Sequence, residues 1–319
     1  MSHVYSIVPA RSARPIAGLV AVAGLAVGLP GCCDGCRVVP AAQTLRVTIE
    51  DGTRQTSTGQ RAAYSLFMPQ PDETLPAPPF PAVVLSHGFA RNKQLHRHTA
   101  RTLAERGIIV LTPNLSSLLG GETARTRNIE NLADHVRWLR ARATNEQDPL
   151  FGLLDPNRIA LVGHSAGGAI SFEAAIELAD AGEPVSAVML LDGVPWSRTL
   201  ARADQLRDVA FASVRSEPSD CNANGAILDL LAGLAFATED LRIVGASHCD
   251  PEDPTDCVCE LVCQGSTAEA RAAYQELLAA FLHDAFGTAN GGFNAAVERL
   301  AAAGRVVRTP IAEQAPASP

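Results

Sequence analysis

The chain has 319 residues, 47% of them hydrophobic, which is enough material for one large domain with a sizeable core. Its formal charge of -8 and pI near 5.5, with no run of basic residues, argue against a nucleic-acid partner, because phosphate binding relies on clustered Lys and Arg.

Arg11 and Arg14 precede an uncharged run of small and aliphatic residues, Pro15 to Gly31, the pattern of an export signal over residues 1–31. The run is short and Gly-rich for a membrane span, which takes about 20 strongly apolar residues. It ends in Leu29-Pro30-Gly31-Cys32, which resembles the box of a bacterial lipoprotein signal, where the cysteine (here Cys32) is lipidated and becomes the new N-terminus. The expected location is therefore outside the cytoplasm: anchored in the cell envelope, otherwise periplasmic or secreted, with membrane contact only through the lipid. Of eight cysteines, seven remain if Cys32 carries lipid, so at least one thiol has no partner within the chain.

Residues 32–43 read as a tether, 44–304 as the folded domain and 305–319 as a flexible tail. The runs TLRVTIE and RAAYSLFMP are strand-like and are separated by a turn segment. A Pro-rich surface connector follows. From Ala82 strand and helix alternate: the strand AVVLS stops at His87-Gly88, a helix spans about 98–106, the strand IIVLTP follows, and Ile129, Leu132, Val136 and Leu139 mark a long helix over about 125–143. The strand RIALVG, a helix over 166–181, the strands VSAVMLLD and DVAFASV, a helical insertion AILDLLAGLAFA and the strand LRIVGAS come next. Helices over about 267–286 and 292–303 close the fold. The alternation predicts an α/β class, with a mostly parallel central sheet covered by helices on both faces and reactive groups at the carboxyl ends of the strands.

The segment Gly163-His164-Ser165-Ala166-Gly167 fits G-x-S-x-G between an apolar strand and a helix, the setting of a nucleophile elbow, in which a tight turn lifts a serine hydroxyl above the sheet edge. A serine needs a base to take its proton and donors for the developing oxyanion. The backbone N–H groups of Ala166 and of Phe89, after the turn at Gly88, are the candidate donors. Among the histidines, His3 falls in the signal, His87 and His164 belong to backbone motifs, and His96, His98 and His135 lie in helix-like segments upstream of Ser165. His283 sits inside a closing helix, whereas His248 follows LRIVGAS in a loop at a strand's carboxyl end and is the expected base. The acid lies in one of two loops: Asp192 ends AVMLLD, and Glu217 and Asp220 follow VAFASV.

Through RAAYSLFMP, SHGF, GHSAGG, LLDGVPW and the terminal His loop, from about Arg61 to Phe286, the chain resembles the chlorophyllase and platelet-activating-factor acetylhydrolase branch of the α/β-hydrolase superfamily, with cutinase-like polyester hydrolases as wider relatives. The resemblance implies the α/β-hydrolase fold, a Ser-His-Asp ester hydrolase without cofactor, and an acid after the strand that follows the nucleophile helix. That position is Asp192, with Asp220 and Glu217 as alternatives. Trp196, four residues on, is a candidate pocket wall. The insertion and the Cys-rich segment after His248 depart from those families, so their substrates do not transfer. The expected substrate is a small-molecule or polymeric ester; the rivals are a catalytically inactive surface binding protein of the same fold, or an amidase or peptidase.

The segment from Cys249 to Cys263 holds Cys249, Cys257, Cys259 and Cys263 at spacings that match no paired C-x2-C arms of a zinc site. Its carboxylates lack the calcium-loop pattern, so no metal is expected and the segment reads as a solvated acidic loop. Disulfides are expected instead: Cys221 with Cys249 across the rim, and a second within Cys257, Cys259 and Cys263 that includes Cys263.

Overall fold

The computed structural model describes residues 44–72, 77–116, 121–263, 265–288 and 292–311. The expected export signal, Cys32 and the tether lie outside them. Nine strands form one sheet in the order β1-β2-β4-β3-β5-β6-β7-β8-β9. β1 (Val47–Gln55) and β2 (Arg61–Pro69) are a hairpin in register from Val47↔Pro69 to Gln55↔Arg61. β2 joins β4 (Ile109–Pro113) antiparallel. β4, β3 (Phe80–Ser86), β5 (Leu154–His164), β6 (Ala187–Leu191), β7 (Ala210–Arg215) and β8 (Thr238–Ile243) then run parallel.

Burial follows from this order. Every residue of β3 and β6 is buried, as continuous apolar strands in the middle of a parallel sheet must be, whereas the outer strand β1 alternates toward solvent. One core lies between the sheet and α2 (Gly121–Thr144) and α3 (Ala166–Asp180), and includes Ile129, Leu132, Val136, Leu139 and Phe172. The opposite core packs the sheet against α1 (Arg97–Ala104), α7 (Ala268–Ala285) and α8 (Gly292–Ala302), through Leu103, Leu277, Leu278, Leu282 and Val297. Helices thus cover both faces, in the α/β-hydrolase arrangement. The loops after β3, β5, β6, β7 and β8 all emerge at the carboxyl edge. No helix among the described residues is long and apolar enough to cross a membrane.

Three expectations change. The tail expected from residue 305 instead contributes β9 (Val306–Ile311), antiparallel to β8. Only Val306 in it is buried, so no apolar periodicity announces it; it covers the open edge of β8, and as the outermost strand it tolerates Pro310. The helical insertion shortens to α5 (Ile227–Ala232), with the preceding α4 (Ser197–Leu200) packed on the same core. The acidic loop is not simply solvated: it contains the short α6 (Cys257–Val262), and both Asp250 and Glu252 are fully buried.

Candidate active site

Ser165 stands between the last residue of β5 and the first of α3, with φ 57° and ψ -126°, a conformation costly to an L-residue and held by its surroundings. Those surroundings leave no room for side chains on either flank. A Cβ on Gly163 would lie 2.2 Å from the Gly167 carbonyl oxygen, and one on Gly167 would lie 2.4 Å from the His87 carbonyl oxygen. The elbow is therefore clamped between the start of α3 and the end of β3.

His248, in the loop after β8, sits with Nε2 2.9 Å from the Ser165 hydroxyl, and its Nδ1–H donates to Asp192 Oδ2 at 2.5 Å. Asp192, at the end of β6, is 1% exposed. Burial works to raise its pKa, but the His248 imidazole and the Ser216 donors more than offset this, and the carboxyl ends below its ordinary range. Ser216 N–H donates to Oδ1 at 2.9 Å and Ser216 Oγ–H to Oδ2 at 2.6 Å, while the Asn222 amide reaches both oxygens at 3.3 Å. Asn222 is itself pinned, donating to the Glu217 carbonyl at 2.9 Å and accepting from Ser219 and Gly225 N–H at 2.9 and 3.0 Å.

The two alternative acids are elsewhere. Glu217 pairs with Arg242 and accepts from Gly245 N–H, bracing β8, and Asp220 is exposed in the short 3-10 turn that carries Asn222. So the loop after β7 supplies hydrogen-bond donors to the carboxylate rather than the carboxylate. Ser216 and Asn222 went unnoticed in the sequence because nothing local distinguishes them; only the packing of the β7 loop over β6 gives them their partner.

The other histidines fill separate roles. His87 braces the loop after β3: its Nδ1–H donates to the Gly88 carbonyl and its Nε2 accepts from Leu115 N–H, both at 2.9 Å. His164 donates from Nε2 to the backbone carbonyl of His248 at 2.8 Å, and its ring lies 4.7 Å from the His248 ring. Burial, then the neighbouring His248, pushes the His164 pKa down to about 3, so the ring is neutral and has one N–H to give. His96 is fully buried, His98 pairs with Asp253, His135 meets Arg54 and His283 meets Thr288. The N–H groups of Phe89 and Ala166, the expected oxyanion donors, have no protein acceptor among the described residues.

The expected cysteine pairing is corrected. The bridges are Cys221–Cys263 and Cys249–Cys259, and Cys257 is a free, exposed thiol. The reason is helical phase. Asp256 caps α6 by accepting from Cys259 N–H, and in the turn that follows residues 259 and 263, four apart, point to the same side, whereas 257 points away. The sulfurs of Cys249, Cys259 and Cys263 lie within 4.8 Å of one another, but as disulfide members they are not thiolate ligands for a metal. Asp250 accepts from Ser247 and Thr267 N–H, and Glu252 takes a bidentate pair from Arg91 at 2.7 and 2.6 Å. These contacts bind the segment after His248 to the start of α7 and to the loop after β3.

Two cavities open on Ser165. One, of about 280 Å³, includes His248, Arg91 and the α6 residues Val258 and Val262; the other, of about 250 Å³, includes Ala166, Arg125 and the candidate pocket residue Trp196. The family model described as Chlorophyllase matches residues 41–204, just over half of the chain, from the hairpin through the elbow and Asp192. Among curated proteins none matches.

Proposed function

The chain belongs to the Chlorophyllase family, an α/β-hydrolase family of ester-cleaving enzymes, and from that premise we propose that it is a serine carboxylic-ester hydrolase working through an acyl-enzyme on Ser165. The observation that carries this reading is the continuous hydrogen-bonded line from Ser165 Oγ through His248 to Asp192 on a clamped elbow. His248 Nε2 takes the hydroxyl proton as Oγ bonds to the ester carbonyl carbon, and the Phe89 and Ala166 N–H groups receive the oxyanion. The bond to the alkoxide then breaks, and His248 returns its proton to that leaving oxygen. Water repeats the sequence on the acyl-enzyme, with His248 again as base, and frees the acid and Ser165. Asp192, ionised, keeps the proton of the resting imidazole on Nδ1 and stabilises the imidazolium. No step calls on a cofactor.

The two disulfides support an oxidising compartment, and with it the exported placement read from residues 1–31; the lipid anchor at Cys32 is proposed from the sequence alone. The partner we propose is a small-molecule or polymeric ester, with the membrane touched only by the anchor and nucleic acid excluded by charge. The test is Ser165→Ala: hydrolysis of p-nitrophenyl butyrate falls by about 10⁵-fold and labelling by a fluorophosphonate probe disappears. A wild-type protein that the probe does not label would make the chain a binding protein instead.

A further inference from the structure

The two cavities share Phe89, Ser165 and Cys221, but only one contains His248. Under the ester-hydrolase reading, on which this inference rests, the leaving oxygen must face His248 Nε2 to collect its proton, so the alcohol occupies the cavity under α6. The acyl group then occupies the other, between Ala166 and Trp196.

Each cavity has one arginine, and the two are in opposite electrostatic states. Arg91, on the alcohol side, is consumed: Glu252 holds it bidentately and Asp256 approaches at 3.1 Å. Arg125, on the acyl side, lies with its guanidinium 4.8 Å from the centre of the Trp196 ring. Its one carboxylate neighbour among the described residues is Glu122, at 4.0 Å, and Arg198 draws on that same carboxylate at 3.6 Å. The wall is firm, because Arg198 and Thr199 of α4, directly after Trp196, both fasten to the buried Glu173 of α3, at 2.7 and 2.6 Å. The Trp196 Nε1–H is buried without an acceptor among the described residues.

We infer that the acyl cavity is specific for acyl groups that end in a carboxylate, with the Arg125 guanidinium as the counter-charge, so that the preferred substrates are half-esters of short dicarboxylic acids. A planar guanidinium stacked on an indole is pre-ordered for a forked pair with a carboxylate. At about 30 Å³ per water-sized group the cavity has room for at least about eight non-hydrogen atoms, enough for a glutaryl group.

The experiment compares mono-p-nitrophenyl glutarate with p-nitrophenyl valerate, of similar length but uncharged. Wild type favours glutarate by at least tenfold in kcat/KM, added NaCl narrows the preference, and Arg125→Gln reduces the ratio at least tenfold while Arg125→Lys retains part of it. A wild-type preference for valerate, or a Gln variant in which both rates fall in step, overturns the inference and leaves the ester-hydrolase reading standing. Absence of turnover of both esters by wild type, or turnover that survives Ser165→Ala, overturns the hydrolase reading itself and this inference with it.

Discussion

The elbow and the rim are built by different means. Residues 163–168 are fixed by exclusion: the start of α3, the end of β3 and the end of β5 meet so closely that no side chain fits between them, and Ser165 is held in an unfavourable conformation as a by-product. The rim is fixed by attachment: α6 has six residues, exposes Val258, Leu261 and Val262, and is joined to the neighbouring loops by two disulfides and the Arg91–Glu252 pair. Geometry that arises from the sheet is as durable as the fold; geometry that arises from cross-links can be removed without unfolding the sheet.

The sharpest separation of the two regions lies in their carboxylates. Asp192→Asn leaves the shape but lets the imidazole take the wrong tautomer, and kcat on p-nitrophenyl butyrate drops roughly 10⁴-fold. Asp220→Asn, at an exposed position on the rim, changes it less than about twofold, since exposed substitutions away from a site have little effect. The reverse result would move the acid to the β7 loop.

Next in size is the removal of the Cys221–Cys263 bridge. It closes 42 residues of chain, and serine at both positions lowers unfolding free energy by about 4 kcal/mol, read by urea denaturation. Turnover of a small ester changes only a few-fold, because Asn222 keeps its own hydrogen bonds, while a bulky-alcohol ester loses far more. Equal losses for both would show that the rim shapes the nucleophile as well as the cleft.

Acid discriminates in the opposite direction, because disulfides are indifferent to protons. His96 and His164, both fully buried, have pKa values pushed down to about 3, chiefly by burial. Below pH 6.5 the unfolded chain gains a proton at each while the folded chain does not, so stability is full above that pH and falls as the pH drops toward 3. At pH 5.5 the two cost about 3 kcal/mol together, at about 1.4 kcal/mol each. His96→Leu should flatten this slope in paired urea titrations at pH 7 and 5.5, and an unaltered slope would place the acid sensitivity elsewhere.

The smallest effect concerns the support of the acid. Asn222→Leu removes one donor to Asp192 but leaves both Ser216 bonds, and kcat falls about tenfold, the order of one charge-assisted hydrogen bond. Because the carboxylate then loses stabilisation, the acid limb of the kcat profile shifts upward in pH, which a loss of packing alone would not produce.

The chain announces the exclusion-built region and hides the attached one. G-H-S-A-G between an apolar strand and a helix is a local pattern, and a histidine in a loop at the carboxyl end of a late strand is another, so the proposal of Ser165 and His248 rests on position alone. Asp192 needed the resemblance as well, since the loops after β6 and β7 each offered carboxylates. The disulfide partners do not follow from the cysteine spacing, because it does not show the helical phase that turns Cys259 and Cys263 inward and Cys257 out. The burial of Asp250 and Glu252 depends on Thr267, Ser247 and Arg91, and none of these partnerships is written in a local pattern.

His164 and Ser165 are consecutive, yet the first grips the backbone carbonyl of His248 while the second faces its ring. Under the proposed mechanism the base is thus held at two points by one strand end, and its loop cannot slide relative to the nucleophile without breaking a buried bond. What remains free is a small rocking of the imidazole about its own side-chain torsions. That is all a proton carrier needs in order to alternate between the serine oxygen and a departing alkoxide, and it lets the exchange occur on the timescale of side-chain libration rather than of loop rearrangement.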